Sequence, residues 1–351
     1  MLDFIQGTLH PIPPVKRNGL FSLDEVIGAD GVHAIEGAGR ITIQIAGDTG
    51  VPETDRETHQ VMVADAMTKD YDPAKPERSP AFFLHLGDVI YGPAPNSYLD
   101  QFYRPYMHYP GKIVAIPGNH DGESAKKIAD FQKYFCAATA HVPPIAGSIF
   151  RQTMTQPGVY WCMDAPFIHI IGLYSNSAEN PGFISGPKIG QRQKVWLVKT
   201  LRKIRAERKK GIRKALIMAT HHPPFSRGGH SGSTDMLADI DDACTKAGVM
   251  PDAFFSGHAH SLQRYSRKVQ FVGKSLTIPY IVSGCGGHGG QRVDPVQEKP
   301  GENPVYQFGY MGWGYSTLRV EGTKVTITSY GVSWDKKEEI DGLTFHLQDM
   351  G

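Results

Sequence analysis

Ala81-Phe82-Phe83-Leu84-His85-Leu86-Gly87-Asp88-Val89-Ile90-Tyr91 is the stretch on which the fold turns. Residues 81–86 are apolar apart from His85 and read as a short buried strand. Gly87 ends the strand and allows a sharp turn. One carboxylate then stands at the strand's C-terminal tip, where open α/β sheets gather their chemistry. A phenol follows three residues later. Gly-Asp after a strand is by itself a common turn or helix cap. Its meaning depends on what the rest of the chain sets beside it.

Upstream, Arg40 to Ala46 alternates, is β-branched and reads as a strand that closes on Gly47-Asp48-Thr49-Gly50. His59 to Lys69 has helical spacing through Val61, Met62, Ala64 and Met67, and a loop over 70–80 leads back to the opening strand. This is a βαβ unit with parallel strands. Tyr98 to Tyr109 is aromatic-rich and predicted helical. Lys112 to Ile116 is a third strand and ends in Pro117-Gly118-Asn119-His120-Asp121. Val159 to Met163 and Phe167 to Gly172 read as strands around the turn Asp164-Ala165-Pro166. Gln193 to Lys210 is an amphipathic helix, with Val195, Trp196, Val198, Leu201 and Ile204 inward and a basic, solvated outer face. Ala215 to Ala219 is a strand ending in Thr220-His221-His222-Pro223. A helix follows at Asp235 to Lys246. The strand Ala253 to Phe255 ends in Ser256-Gly257-His258-Ala259-His260, and further strands are read at 278–282, 316–320 and 324–329. Helices and strands alternate early and strands cluster late. That order predicts an α/β fold in which two mixed β-sheets pack as a sandwich flanked by helices. Residues 1–38 read as an irregular N-terminal segment packed on a single domain over 39–351.

A formal net charge of +2 carries no nucleic-acid or membrane footprint. Cys136, Cys162, Cys244 and Cys285 are far apart, which argues against a zinc–thiolate site and gives no disulfide framework. No apolar run approaches the length of a membrane span, so the chain is expected to be soluble. The N-terminus lacks the basic and apolar regions of a signal peptide, which favours the cytoplasm. The 39 glycines and 25 prolines imply many loops, and 15 histidines favour a metal or proton-transfer site on them, with plain surface histidine as the alternative.

Five strand ends repeat one arrangement, an apolar strand followed by ligand-type side chains on a tight turn. They supply Asp48, Asp88 with Tyr91, Asn119 with His120, His221 with His222, and His258 with His260. This set of oxygen and nitrogen donors without thiolate suits iron, manganese or zinc better than calcium or copper(I). Two neighbouring cations need a shared anionic ligand, and the carboxylate at the central strand end is the natural one.

The set Gly47-Asp48-Thr49-Gly50, Gly87-Asp88-Val89-Ile90-Tyr91, Gly118-Asn119-His120-Asp121, Met218-Ala219-Thr220-His221 and Gly257-His258-Ala259-His260 resembles the calcineurin-like metallophosphoesterases. Most of that superfamily carries Asp-x-His at the first motif. Here Thr49-Gly50 stands there instead, and Tyr91 follows the second aspartate. That exchange resembles the purple acid phosphatases. The likeness covers roughly residues 40–330, and Met218 replaces the usual valine of the fourth motif.

The resemblance implies a dinuclear centre. Asp48, Asp88, Tyr91 and His260 would hold Fe(III); Asp88, Asn119, His221 and His258 would hold Fe(II), Zn(II) or Mn(II). It implies hydrolysis of a phosphate monoester by metal-activated hydroxide, with His120 and His230 as outer catalytic histidines. The alternatives are a phosphodiesterase for cyclic nucleotides or glycerophosphodiesters on the same site, and a non-catalytic module that kept the fold. His222 is expected to point away at its strand end, and a role behind the ligands is its minor alternative; a pocket wall for His288 and a phosphate contact for Arg227 are minor alternatives too. His85 and His169 read as core or edge residues, and Asp121 as orienting His120 or capping a helix. The resemblance also favours a secreted or periplasmic location. Substrate identity and oligomeric state are not legible in the motifs.

Overall fold

The computed structural model describes residues 9–52, 59–297 and 299–348. The readings of residues 1–8, 53–58, 298 and 349–351 lie outside them. In chain order the elements are strand β1 (Leu20–Ser22), helix α1 (Asp24–Ala38), β2 (Arg40–Ala46), α2 (His59–Thr68), β3 (Phe82–His85), β4 (Lys112–Ala115), the single turn α3 (Asn119–Gly122) and α4 (Ala125–Phe135). Then follow β5 (Trp161–Ala165), β6 (Ile168–Gly172), α5 (Arg192–Lys209), β7 (Ala215–Thr220), α6 (Thr234–Ala247) and β8 (Ala253–Ser256). The chain closes with β9 (Leu262–Phe271), β10 (Lys274–Ser283), β11 (Val305–Tyr310), β12 (Trp313–Glu321), β13 (Lys324–Val332) and β14 (Lys337–His346).

The strands form two mixed sheets, as the alternation predicts. One has the order β1-β5-β6-β7-β8-β10-β9-β11, the other β14-β13-β12-β2-β3-β4. β2, β3 and β4 run parallel, with Ile43 opposite Phe82 and Phe82 opposite Lys112. β6, β7 and β8 run parallel in the other sheet. All four residues of β3 and all six of β7 are buried, as both-faced parallel strands require. The apolar core between the sheets takes Ile43, Ile45, Phe82 and Val114 from one and Ile168, Ile217 and Ala253 from the other. Helices α5 and α6 cover the outer face of the larger sheet through Leu197, Leu201, Ile204, Met236 and Ile240.

Four readings are corrected. Residues 1–38 are not simply irregular: β1 pairs parallel with β5, and α1 occupies Asp24–Ala38. Only Val26 of α1 is buried, and Gly28 breaks its dihedrals at φ 79°, so its apolar period is faint. Tyr98–Tyr109 is not a regular helix but a π-helical turn over Leu99–Tyr103. On α5, Val195 is half exposed while Leu197 faces the core. The basic face of α5 is not wholly solvated, because the Arg208 guanidinium is buried against Asp252 at 3.0 Å.

Candidate metal centre

The C-terminal ends of β2, β3 and β4 meet those of β7 and β8 where the two sheets converge. Backbone bonds lock the turns together. Asp48 N–H donates to the Gly87 carbonyl (2.9 Å), Gly47 N–H to Ser283 (2.8 Å) and Gly257 N–H to His221 (2.9 Å). Asp48, Asp88 and His258 sit in left-handed backbone conformations at φ 56°, 53° and 66°. Non-glycine residues held there cost on the order of 1 kcal/mol or more each and concentrate at functional sites.

Two glycines let the turns touch. Gly87 has φ +97°, and a Cβ on it would lie 2.6 Å from Gly118 N and 2.8 Å from His221 Nδ1. A Cβ on Gly118 would lie 2.0 Å from Asp88 Oδ1 and 2.4 Å from Asp88 N. Asp121 caps the α3 turn, as one of its two readings has it, and does more. Its buried carboxylate accepts N–H bonds from Gly118 (2.9 Å), Val89 (3.2 Å) and Ile90 (3.3 Å), so it clamps the β3 turn to the β4 turn.

The seven candidate ligands are all buried and fall into two clusters around Asp88 and Asp48. In one cluster, His221 Nδ1–H donates to the Leu86 carbonyl at 2.9 Å. Its Nε2 lone pair then faces Asn119 Oδ1 at 3.0 Å, Asp88 Oδ2 at 3.3 Å and Asp48 Oδ1 at 3.9 Å. His258 Nδ1 faces the same Asn119 oxygen at 3.0 Å. Donor atoms of Asp88, His221 and His258 all lie within 4.8 Å of one another. In the other cluster, His260 Nδ1–H donates to the Gly289 carbonyl at 3.0 Å. That leaves Nε2 aimed at Tyr91 Oη (3.3 Å) and Asp48 Oδ1 (3.5 Å), with Tyr91 Oη also 3.3 Å from Asp48 Oδ1.

Each cluster therefore points several lone pairs at one place with too few protons to pair them. Only a proton or a cation reconciles such an arrangement, and protons leave the buried carboxylates in conflict. Burial drives the Asp48 pKa well up, helped by Asp88 and opposed by His221. Burial works against charge on His221, but Asp88 and Asp48 outweigh it and raise the pKa to about 9. Burial would also raise Asp88, yet His221 holds it below the usual carboxylate range. Tyr91 is pushed far up by burial, then by Asp88 and Asp48, so its phenol ionises only beside a strong positive charge. The residues thus fit a pair of metal ions, with oxygen and nitrogen donors and no thiolate.

His120 and His230 stand at the rim. The His120 ring packs 4.5 Å from Tyr91, and its Nδ1 is turned to Glu123. The His230 ring lies 4.1 Å from that of His258, and its Nδ1 accepts from Asn180 Nδ2 at 2.9 Å. His222 is turned away from the clusters. Its Nε2–H donates to Ala178 and its Nδ1 accepts from Ser175, each at 2.8 Å, and burial holds its pKa near 3. His288 does line the site, stacked on Tyr91 at 3.9 Å. Arg227 does not reach it: its guanidinium is paired with Glu302. His85 is a core residue bonded to Thr49, and His169 is a buried residue of the interior strand β6, between Asp164 and Glu207.

Two supporting residues carry no sequence signal. Gln101 pairs with both the N–H and the carbonyl of Tyr91 at 2.8 Å each, and it comes from the irregular turn after β3. Glu179 accepts from Asn119 Nδ2 at 3.2 Å, turning the amide oxygen inward. It sits in a polar loop with no flanking motif.

A family model described as calcineurin-like phosphoesterase matches residues 41–262. The chain belongs to the calcineurin-like phosphoesterase family. The family implies a hydrolase with a dinuclear metal centre. Among solved structures, this calcineurin-like phosphoesterase is similar to purple acid phosphatase PPD1 from yellow lupin (Lupinus luteus) seeds. The TM-score is 0.59 at 14% identity over 88% of this chain and 54% of the lupin chain. The chain thus spans about half the length of the lupin protein. It is similar to GAP50, the anchor in the inner membrane complex of Plasmodium, at TM-score 0.59 and 14% identity over 88% and 90% of the two chains. It is also similar to PhoD at TM-score 0.52 and 13% identity over 88% and 70%. At these identities the likeness concerns the fold. A search of curated proteins finds no match. Among the described residues, no helix is long and apolar enough to cross a membrane.

Proposed function

We propose that this calcineurin-like phosphoesterase hydrolyses phosphomonoesters at a two-metal centre of the purple acid phosphatase kind. Asp48, Asp88, Tyr91 and His260 would hold one ion and Asp88, Asn119, His221 and His258 the other, with Asp88 shared. The observation that carries the reading is the convergence of lone pairs on two points, each with fewer protons than acceptors. Tyr91 supports Fe(III) at the first position, because a phenolate is a hard, strongly donating anion. Neutral Asn119 and two histidines support Fe(II), Zn(II) or Mn(II) at the second. Ions so held supply a lowered pKa for an attacking water and positive charge against the phosphoryl oxygens.

The chain's own groups do the rest. His230 accepts at Nδ1 from Asn180, so its proton sits on Nε2, where it can pass to a leaving oxygen. His120 is held by Glu123 through Nδ1 with its ring against Tyr91, which would leave its other nitrogen for the charge that builds on phosphorus-bound oxygen. GAP50, an anchor, shares the fold, so the fold alone does not assign catalysis. The complete donor set favours catalysis over a binding module.

A second reading, a phosphodiesterase, draws on Glu179. Its carboxylate lies 3.8 Å from His230 Nδ1 and is largely exposed at the approach to the site. A negative charge there opposes a dianionic monoester more than a monoanionic diester. The test is kcat/KM for an aryl phosphate and a bis-aryl phosphate, measured with defined metals from acidic to alkaline pH. Faster monoester turnover supports the proposal, faster diester turnover supports the second reading, and no metal-dependent turnover of either rejects both.

A further inference from the structure

One residue outside the candidate ligand set touches every ligand peculiar to the first ion. The His288 N–H donates to the Asp48 carbonyl at 2.9 Å. Its Nδ1–H donates to the Gly50 carbonyl at 2.9 Å, which fixes the ring's tautomer at that nitrogen. Its ring lies flat on the Tyr91 phenol at 3.9 Å and 9° between planes. Its edge meets the His260 ring at 4.7 Å and 78°. The His288 carbonyl accepts from Trp313 Nε1 at 3.3 Å, so the residue is held from behind as well.

We propose that His288 is a positioning residue that sets the plane of the Tyr91 ring. This rests on the reading that Tyr91 ligates a ferric ion. The Tyr91 oxygen lies on the axis of the ring's last torsion. That torsion is soft and roughly two-fold in an aromatic side chain. Rotation about it leaves the oxygen in place but turns its out-of-plane lone pair. A flat stack by His288, with the His120 ring also packed 4.5 Å from the Tyr91 ring at 43°, removes that freedom. The orientation of the lone pair governs how well phenolate π electrons overlap a metal orbital. His288 therefore controls the charge-transfer absorbance of the centre more than its capacity to hold metal.

The test compares visible spectra of iron-loaded wild type, His288→Ala and His288→Phe at equal iron content, with Tyr91→Phe as the blank. His288→Ala should keep its iron yet show a band of lower intensity and shifted maximum. His288→Phe keeps a flat ring on Tyr91 and should retain the wild-type band. A wild-type band in His288→Ala overturns the proposal. So does a His288→Phe band altered as much as that of His288→Ala, and so does a loss of iron that leaves nothing for the ring plane to tune. Iron-loaded wild type without a band, or with a band that survives in Tyr91→Phe, rejects the ligand reading itself and the proposal with it. If His288→Ala fails to fold, His288→Gln, which also lacks the ring, takes its place with the same expected and overturning results.

Discussion

Gly118→Ala should separate metal binding from folding. The added methyl would sit 2.4 Å from the backbone nitrogen of Asp88 and 2.0 Å from its Oδ1. Ordinary carbon contacts start near 3.4 Å. A backbone atom cannot swing aside as a side-chain tip can, so the β3 and β4 turns must part by about 1 Å. Metal sites tolerate displacements of roughly 0.2 Å in ligand distance. Asn119 sits on one side of the gap and Asp88 on the other. The bond from His120 N–H to Asp88 Oδ1, 2.9 Å long, is lost as well. Overpacking of this kind costs about 1–3 kcal/mol, a minority of the 5–15 kcal/mol that holds a typical domain. The variant should fold with a lower urea midpoint while its affinity for the second ion collapses. Gly37→Ala is the control: it lies in α1 with nothing within 4 Å, and should be neutral or stabilise by up to about 1 kcal/mol. The assay is zinc titration of metal-free protein by calorimetry beside urea unfolding. Wild-type zinc affinity in folded Gly118→Ala refutes the reasoning.

Asp252→Ala should cost about 3–5 kcal/mol, because it orphans the buried Arg208 and the Arg213 bonded at 2.6 Å; a urea midpoint near wild type contradicts this. His230→Ala should lower kcat on esters with poor leaving groups by ~10²–10⁴ and spare those with good ones; equal losses on both rule out proton donation. His85 accepts from Gly87 N–H at Nδ1, donates from Nε2 to Thr49, and burial lowers its pKa to about 3. It is neutral when folded and protonates when unfolded, so its contribution to stability falls by up to about 1.4 kcal/mol per pH unit as pH drops below about 6.5. Its ring signals in NMR spectra of the folded protein should stay flat between pH 7 and 4, and a midpoint near 6 contradicts the burial argument.

The turns that carry the candidate donors are legible because each follows a short, largely buried strand, whose apolar run and glycine stop are local signals. Their mutual approach was not local. It depends on Gly118 meeting Asp88, and on Asp121 reaching across to Val89 and Ile90, which no spacing rule encodes. Glu179 and Gln101 were invisible for the same reason: each acts through one bond to a residue brought near only by folding. Tyr98–Tyr109 misled because tyrosine-rich packing mimics helical spacing around a π-turn. β14 is not legible in the sequence because it is an edge strand, and Lys337, Glu338 and Glu339 are exposed there. Charge on an edge discourages pairing with another chain but erases the apolar alternation that marks a strand. α1 was missed for the opposite cause, since Gly28, Gly31 and Gly37 hide its helical character.

Two clusters of buried donors should hold two ions at once. Metal analysis of the purified protein, before and after chelation and with turnover measured on the same samples, tests it most directly. About two metals per chain are expected, one of them iron when iron is supplied, with turnover lost on their removal and restored on reloading. One metal or none per active chain, or turnover that survives complete chelation, contradicts the account.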